Sequence, residues 1–407
     1  MPVMNADLVV IGAGALGLST ALHAALGGQS VVVIERRTAG SQASGRAAGL
    51  FKSVQADELR TVIARRSIER ANSFADWAGA ELPVTRSGSF LIARTGAHQA
   101  MLRREAAQSR GWGADIRAAA PADLLTRLSY YQPSGAEQAL WCPEDVYIEE
   151  PISLIEAYVA AGRRHGVELL ENESVVSVTL TGGRVAGVET TARSLTAGAV
   201  VDAAGAWTRQ VAELARTAVA VAPVRHQLLI TQPAPAVDVT APIARVIDAA
   251  VYLRPARGGL MVGGFERDPL PLDPRSQAAD FTTDDVPLDA GVLAKLAGQV
   301  SAETPLVLGP VAEHRAGLFT MSPDGRFVAG PVPDVPGLWI ASGCNGSGFS
   351  SSLAIGEAVA GWIGERPGRL DIGPLAPGRF GPVTDEALVS DGVWQYAHYY
   401  DPAGGPA

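Results

Sequence analysis

The 407-residue sequence has only two cysteines, Cys142 and Cys344. That is too few for a disulfide framework, and neither has metal-ligand spacing, so a reducing compartment and no metal are expected. No stretch reaches the about 18 uninterrupted apolar residues of a membrane span. The N-terminus lacks the charged start and cleavage site of a secretory signal and enters an apolar run within a few residues. A cytoplasmic protein without a membrane partner is therefore expected. Basic residues are in deficit: 33 Lys and Arg face 42 Asp and Glu, a net charge of −9, which argues against a broad basic surface for nucleic acid. No internal repeat stands out, and no Ser/His/Asp nucleophile arrangement is evident. With 47% hydrophobic and 18% charged residues, the chain can bury a substantial core. Its length suggests two or three domains, or one with a large insertion.

Among what is present, the start is the most informative. Leu8-Val-Val-Ile11 runs into Gly12-x-Gly14-x-x-Gly17, then an Ala/Leu-rich segment, then Val31-Val-Val-Ile-Glu35. This reads as strand, tight turn, helix, strand. The first glycine permits the turn and the second lets the backbone approach a pyrophosphate at the positive end of the helix. The third lets helix and strand pack closely. Glu35 lies 18 positions after Gly17, close to the spacing of an acid that accepts hydrogen bonds from a ribose. An adenine dinucleotide is the ligand this pattern suits.

The small-residue stretch Gly40 to Phe51 is expected to line that cofactor, since such loops let backbone amides approach a ligand. Apolar spacing predicts helices at 58–77, 152–166 and 350–364. Strands are expected at 167–170, 175–180, 185–189 and 199–202, with Gly182-Gly183 as a hairpin turn. The segment 221–270 alternates as an antiparallel sheet does. Gly337 to Phe349 is a short strand entering a second glycine-rich turn. The Pro/Gly-rich tail after 366 is expected to wrap the surface.

Together these pieces resemble the D-amino-acid-oxidase-like flavoprotein superfamily, in its sarcosine, dimethylglycine and glycine oxidase branch. Five stretches carry the resemblance across about 7–365: the N-terminal fingerprint, Ser44-Gly-Arg-Ala-Ala-Gly49, Val201-Asp-Ala-Ala-Gly-Ala-Trp207, Tyr252-Leu-Arg254 with Gly259-Leu-Met-Val-Gly-Gly264, and Thr320-Met-Ser-Pro-Asp-Gly325 with Gly343-Cys-Asn-Gly-Ser-Gly-Phe349. It implies an α/β (α+β) fold, a Rossmann-like FAD domain interleaved with a mostly antiparallel substrate domain. The expected division is 1–80, 146–222 and 318–370 for FAD, 81–145 and 223–317 for substrate, and 371–407 as a C-terminal tail. By the same resemblance Gly12, Gly14 and Gly17 hold the pyrophosphate, Glu35 the ribose and Val175 the adenine side, with Ala15, Leu16 and Arg36 also counted as cofactor-binding. The turn Ala203, Ala204, Gly205 and Trp207 adds to the cofactor site. Ser44, Gly45, Arg46, Ala47, Ala48, Gly49 and Leu50 surround the flavin, with Gly343, Asn345, Gly346, Ser347, Gly348, Phe349 and Ser350.

The departures are informative. Relatives attach FAD through a His where Arg46 stands, or through a Cys where Gly317 stands, so non-covalent FAD is expected. A Lys that helps oxygen reactivity is replaced by Met261, which leaves dioxygen or another acceptor open. Carboxylate-binding positions of relatives carry Ser350 and Phe319, so a substrate bulkier than glycine or sarcosine is implied. His226 and Tyr252 match the dimethylglycine-enzyme pattern and are the catalytic candidates. A structural histidine and a core aromatic are their plain alternatives. Lys52 and Arg46 are candidate partners of a substrate carboxylate or of the reduced flavin's charge. Arg254 and Arg315 are assigned to structural support. The implied activity is oxidation of the C–N bond of a secondary or tertiary amino acid by hydride transfer to flavin N5, giving an imine that hydrolyses. Oxidation of a 2-hydroxy acid or polyol phosphate, or a flavin-carrying subunit of an electron-transfer complex, are the competing readings. Oligomeric state is open.

Overall fold

The computed structural model describes residues 3–368 and 370–401. Residues 1–2, 369 and 402–407 of the expected division lie outside them. The apolar run at the start forms β1 (Val3–Ile11), whose Leu8, Val9 and Val10 are fully buried. It pairs in parallel with β2 (Val31–Glu35) on one side and Ser194–Asp202 on the other. A strand apolar on both faces belongs in the middle of a covered parallel sheet. The sheet runs Val328–Pro331, Leu338–Ser342, Ser194–Asp202, β1, β2, Glu168–Glu171, and a hairpin of Val175–Thr181 and Arg184–Thr190 joins it through Ser194–Asp202. Between β1 and β2 lies α1 (Ala15–Leu26).

A second eight-stranded sheet is built from later segments. Its working part is β3 (Ala222–Thr231), β4 (Val251–Ala256), β5 (Gly259–Gly264) and β6 (Val311–Met321), all antiparallel to their neighbours in the order β6, β3, β5, β4. The sheet continues through Ile243–Val246, Ser89–Ala93, Gln138–Cys142 and Arg117–Ala119, with one parallel pair between Ile243–Val246 and Ser89–Ala93. β6 crosses the boundary expected at 317/318. β3 is buried along its whole length rather than alternately. One face packs through Leu229, with Leu260 and Val262 of β5, against Leu293 and Leu296 of the helix Ala290–Gly298. The other face carries His226 and Leu228 toward a cavity.

Two later helices complete the layers. α2 (Gly348–Ile363) is apolar or small nearly all round and crosses α1 closely: a Cβ on Gly356 would lie 2.3 Å from Ser19 Oγ. α3 (Asp385–Ala397) corrects the expectation of a surface-wrapping tail. The Thr384 hydroxyl accepts from the Ala387 N–H, and Asp385 and Glu386 follow in the first turn, so this helix has a proper start. Gly392 lets it lie against Ala222 and Met321, and Tyr396 is fully buried. No helix among the described residues is long and apolar enough to cross a membrane.

Candidate active site

A cavity of about 460 Å³ runs between the two sheets. At one end it is bounded by Ile11, Gly12, Gly14, Ala15, Leu16, Glu35, Arg36, Glu173, Val175, Trp207 and Leu214. Gly12 has φ +104°, and a Cβ there would sit 2.6 Å from the Ala203 carbonyl oxygen. α1 begins at Gly14 with no side-chain cap, and the Ala15 N–H donates to Ser44 Oγ at 3.0 Å. An uncapped helix start presents N–H groups and a positive dipole end, which suits a pyrophosphate. Glu35 is 8% exposed and accepts from the Ala13 and Arg37 N–H groups, each at 2.9 Å. Burial raises its pKa, and these two hydrogen bonds oppose the rise. A carboxylate has further lone pairs, so it can still accept from ribose hydroxyls. The Arg36 guanidinium lies 4.2 Å over the Trp207 ring and donates to the Phe281 carbonyl, and Arg36 and Trp207 both line this end with Val175.

The middle and far parts are lined by Ser44, Arg46, Ala47, Ala48, Gly49, Leu50, Ala203, Ala204, Gly205, Gly346, Gly348, Phe349 and Ser350. Five expected cofactor residues do not reach the cavity. Gly17 packs under Gly12, where a Cβ would lie 2.0 Å from the Gly12 carbonyl oxygen. Gly45 is held against Gly40, and Gly343 against Val328. Asn345 is turned inward, its amide bonded to Ser322 and to the Gly343 carbonyl. Ser347 is the residue before α2. These five shape the turns that other residues use.

The far end belongs to the second sheet. His226, Leu228, Tyr252, Arg315, Gly317 and Phe319 share one face by register: His226 opposes Gly317, Leu228 opposes Arg315 and Gly263, and Tyr252 opposes Gly263. The missing side chain at Gly263 gives Tyr252 its place, since a Cβ there would fall 2.2 Å from the tyrosine oxygen. His226 Nε2 lies 2.8 Å from the Tyr252 hydroxyl, and its Nδ1 lies 2.7 Å from the Tyr396 hydroxyl. The Phe319 ring stacks on His226 at 4.2 Å. Burial, and then the charge of Lys52, push the His226 imidazole down to about 3. Burial raises the Tyr252 and Tyr396 hydroxyls. The three groups therefore form a neutral hydrogen-bonded chain.

Lys52 Nζ donates to the Tyr399 hydroxyl at 2.9 Å. Burial alone would lower this lysine, but Tyr399 and Tyr400 reverse that and leave it raised. Arg46 lines the cavity and pairs with Asp284. Arg254 is fully buried and donates to the carbonyls of Ala48, Glu149 and Pro255, which is structural support. Arg315 departs from that expectation, because it lines the cavity beside the catalytic candidates. Phe265, Tyr396 and Tyr399 were also missed. The signal for the two tyrosines is the crowding of Trp394, Tyr396, Tyr399 and Tyr400 into one short stretch of a chain with only 6% aromatics.

A long cavity with a pyrophosphate turn at one end and a neutral His–Tyr pair at the other defines a dinucleotide-dependent redox protein. The dinucleotide is FAD. The model of the DAO family, "FAD dependent oxidoreductase", matches residues 7–362, and the chain belongs to that family. It is 27% identical over 362 residues to 4-methylaminobutanoate oxidase (formaldehyde-forming) of Paenarthrobacter nicotinovorans, covering 87% of this chain and 43% of that protein. It is 26% identical over 374 residues to the mitochondrial sarcosine dehydrogenase of Homo sapiens, covering 88% and 40%. The chain thus spans less than half the length of these relatives. Among solved structures, L-proline dehydrogenase from P. horikoshii superposes with a TM-score of 0.83 at 23% identity, covering 93% of this chain and 98% of that one. That likeness concerns the fold.

Proposed function

We propose that the protein oxidises the C–N bond of a secondary or tertiary amino acid, of the N-substituted glycine type and bulkier than sarcosine, to an imine that hydrolyses. The observation that carries this reading is the neutral His226–Tyr252 pair facing the flavin end of the cavity. Bound FAD supplies the two-electron acceptor for the hydride that leaves the substrate carbon. The chain's own work is positioning and exclusion of water. Phe319, Phe265 and Leu228 give this end an apolar surface. Among the described residues no carboxylate lines it, and the charges of Lys52 and Arg315 disfavour a further cation beside them, so the substrate nitrogen binds with its lone pair free. The Tyr252 hydroxyl, held by His226, is placed to hydrogen-bond that nitrogen or its neighbouring carboxylate. Arg46 and Gly317 stand where relatives carry attachment residues, which supports non-covalent FAD.

The test is anaerobic reduction of the flavin by a panel of N-methyl and N-carboxymethyl amino acids. Reduction by amines is expected, with kcat/KM falling about 10²-fold in Tyr252→Phe and His226→Asn. Reduction by 2-hydroxy acids and by no amine overturns the reading and selects alcohol oxidation instead.

A further inference from the structure

The charge at the substrate end is one-sided. Arg46, Lys52 and Arg315 all line the cavity beyond the dinucleotide turn. Among the described residues its only lining carboxylates are Glu35 and Glu173, beside Val175 at the adenosine end. Arg46 has its own partner in Asp284. Lys52 and Arg315 are different. The hydrogen-bond partner of Lys52 is the hydroxyl of Tyr399, and no carboxylate pairs with its ammonium among the described residues. The Arg315 side chain is 8% exposed. Its Nε lies 3.0 Å from a Glu313 oxygen but outside hydrogen-bond geometry, and neither Nε nor Nη2 has a hydrogen-bond partner among the described residues. Glu313 is itself shared: its other oxygen pairs with Arg257, which also binds Glu150.

A buried guanidinium N–H without an acceptor is costly, and the Lys52 ammonium, held charged beside Tyr399 and Tyr400, has no carboxylate of its own among the described residues. A ligand that brings carboxylates supplies the acceptor that Arg315 lacks and the counter-charge that Lys52 lacks. A ligand with one carboxylate satisfies one cation and further dehydrates the other. Arg315, Leu228, Gly263 and Tyr252 form one row across adjacent strands, so the arginine reaches the cavity at the level of the tyrosine. Lys52 acts on the same pair from its other partner: its charge is felt at His226, and that of Arg315 at Tyr252.

We propose that the substrate carries two carboxylates, one received by Lys52 and one by Arg315, with the reacting nitrogen between them at the His226–Tyr252 pair. The chemical class is an N-(carboxyalkyl) amino acid rather than a monocarboxylate N-methyl amine. The position of the nitrogen rests on the function proposed above; the two carboxylate sites do not.

The experiment uses the flavin-loaded protein and reads the flavin absorbance during titration with unreactive acids. Glutarate and adipate are compared with butyrate and hexanoate. The dicarboxylates are expected to bind at least about ten-fold more tightly. That advantage is expected to fall to within about three-fold in Arg315→Gln and in Lys52→Met, with Arg315→Lys retaining part of it. Equal binding of the two acid classes by the unmutated protein overturns the proposal, whatever the variants do. So does an advantage that survives both substitutions. A Lys52→Met protein with an intact advantage and a shifted flavin midpoint potential assigns the lysine to the reduced flavin and also overturns it. In the anaerobic assay, an N-carboxymethyl amino acid is expected to show a KM at least about ten-fold below its N-methyl counterpart. Tight dicarboxylate binding without reduction by any amine keeps the two-carboxylate site and removes the amine reading, so the two failures are distinguishable.

Discussion

At the scale of single residues, His226 shows how burial converts a titratable group into a fixed one. Both ring nitrogens face tyrosine hydroxyls, the ring is covered by Phe319, and the imidazole is pushed from its ordinary 6.5 down to about 3 by burial and then by Lys52. The folded protein therefore refuses a proton that the unfolded chain accepts. This group's contribution to stability is complete above about pH 6.5 and is lost as pH falls from there toward about 3. The slope is at most about 1.4 kcal/mol per pH unit. His23, pushed down to about 4 chiefly by burial, acts in the same direction. Denaturant unfolding of the FAD-saturated protein at several pH values between 4.5 and 7.5 is expected to show this loss. His226→Asn should have a flatter dependence, with His23 still contributing. A variant curve parallel to the parent's would refute the assignment. The sequence carried the identity of this histidine through its match, with Tyr252, to the dimethylglycine-enzyme pattern. It did not carry the second tyrosine, because Tyr396 lies 170 residues later and meets His226 only through folding.

At the scale of elements, the first turn and the last helix differ in how openly the sequence announces them. Gly12-x-Gly14-x-x-Gly17 is legible because each glycine answers a local steric demand. The structure separates their roles: Gly12 and Gly14 line the cavity, while Gly17 only lets the helix approach the turn. Gly17→Ala is nevertheless expected to abolish flavin retention, since its Cβ would collide with the Gly12 carbonyl oxygen and displace the turn. Absorbance at the flavin bands after purification reads this directly, and a fully yellow variant would contradict it. The helix α3 was not legible, because a Pro/Gly-rich approach precedes it and its buried positions serve a surface formed by β3 and β6. Tyr396→Phe separates its role from that of the turn. Loss of the hydroxyl leaves His226 Nδ1 buried without its partner, and about 1–3 kcal/mol of stability should go with it. Flavin content should stay unchanged, because Tyr396 does not line the cavity. Comparable loss of flavin in both variants would show that α3 supports the cofactor site after all.

At the scale of the whole molecule, the cavity is the seam between two sheets, which also meet directly where Ala206 and Trp207 pack with Ala316 and Leu318. Ile11, Glu35 and Ala203 come from the first sheet or its turns, and His226, Tyr252 and Phe319 from the second. The chain passes between the sheets several times, so neither is made from one continuous segment. That interleaving explains why periodicity could place strands but not say which sheet owned them, as β6 crossing the expected boundary shows. A ligand gripped by both sheets stabilises the folded state by RT ln(1 + [L]/Kd), about 2.7 kcal/mol at a hundred-fold excess over Kd. This linkage operates only for a cofactor free to dissociate, which Arg46 and Gly317 at the attachment positions favour. Acid precipitation should accordingly leave all the flavin in the supernatant. Apoprotein prepared by mild chaotrope should then show a melting temperature that climbs with added FAD and continues to climb above saturation. A yellow pellet would overturn the non-covalent assignment. A melting temperature indifferent to FAD would show that the two sheets hold together without the cofactor.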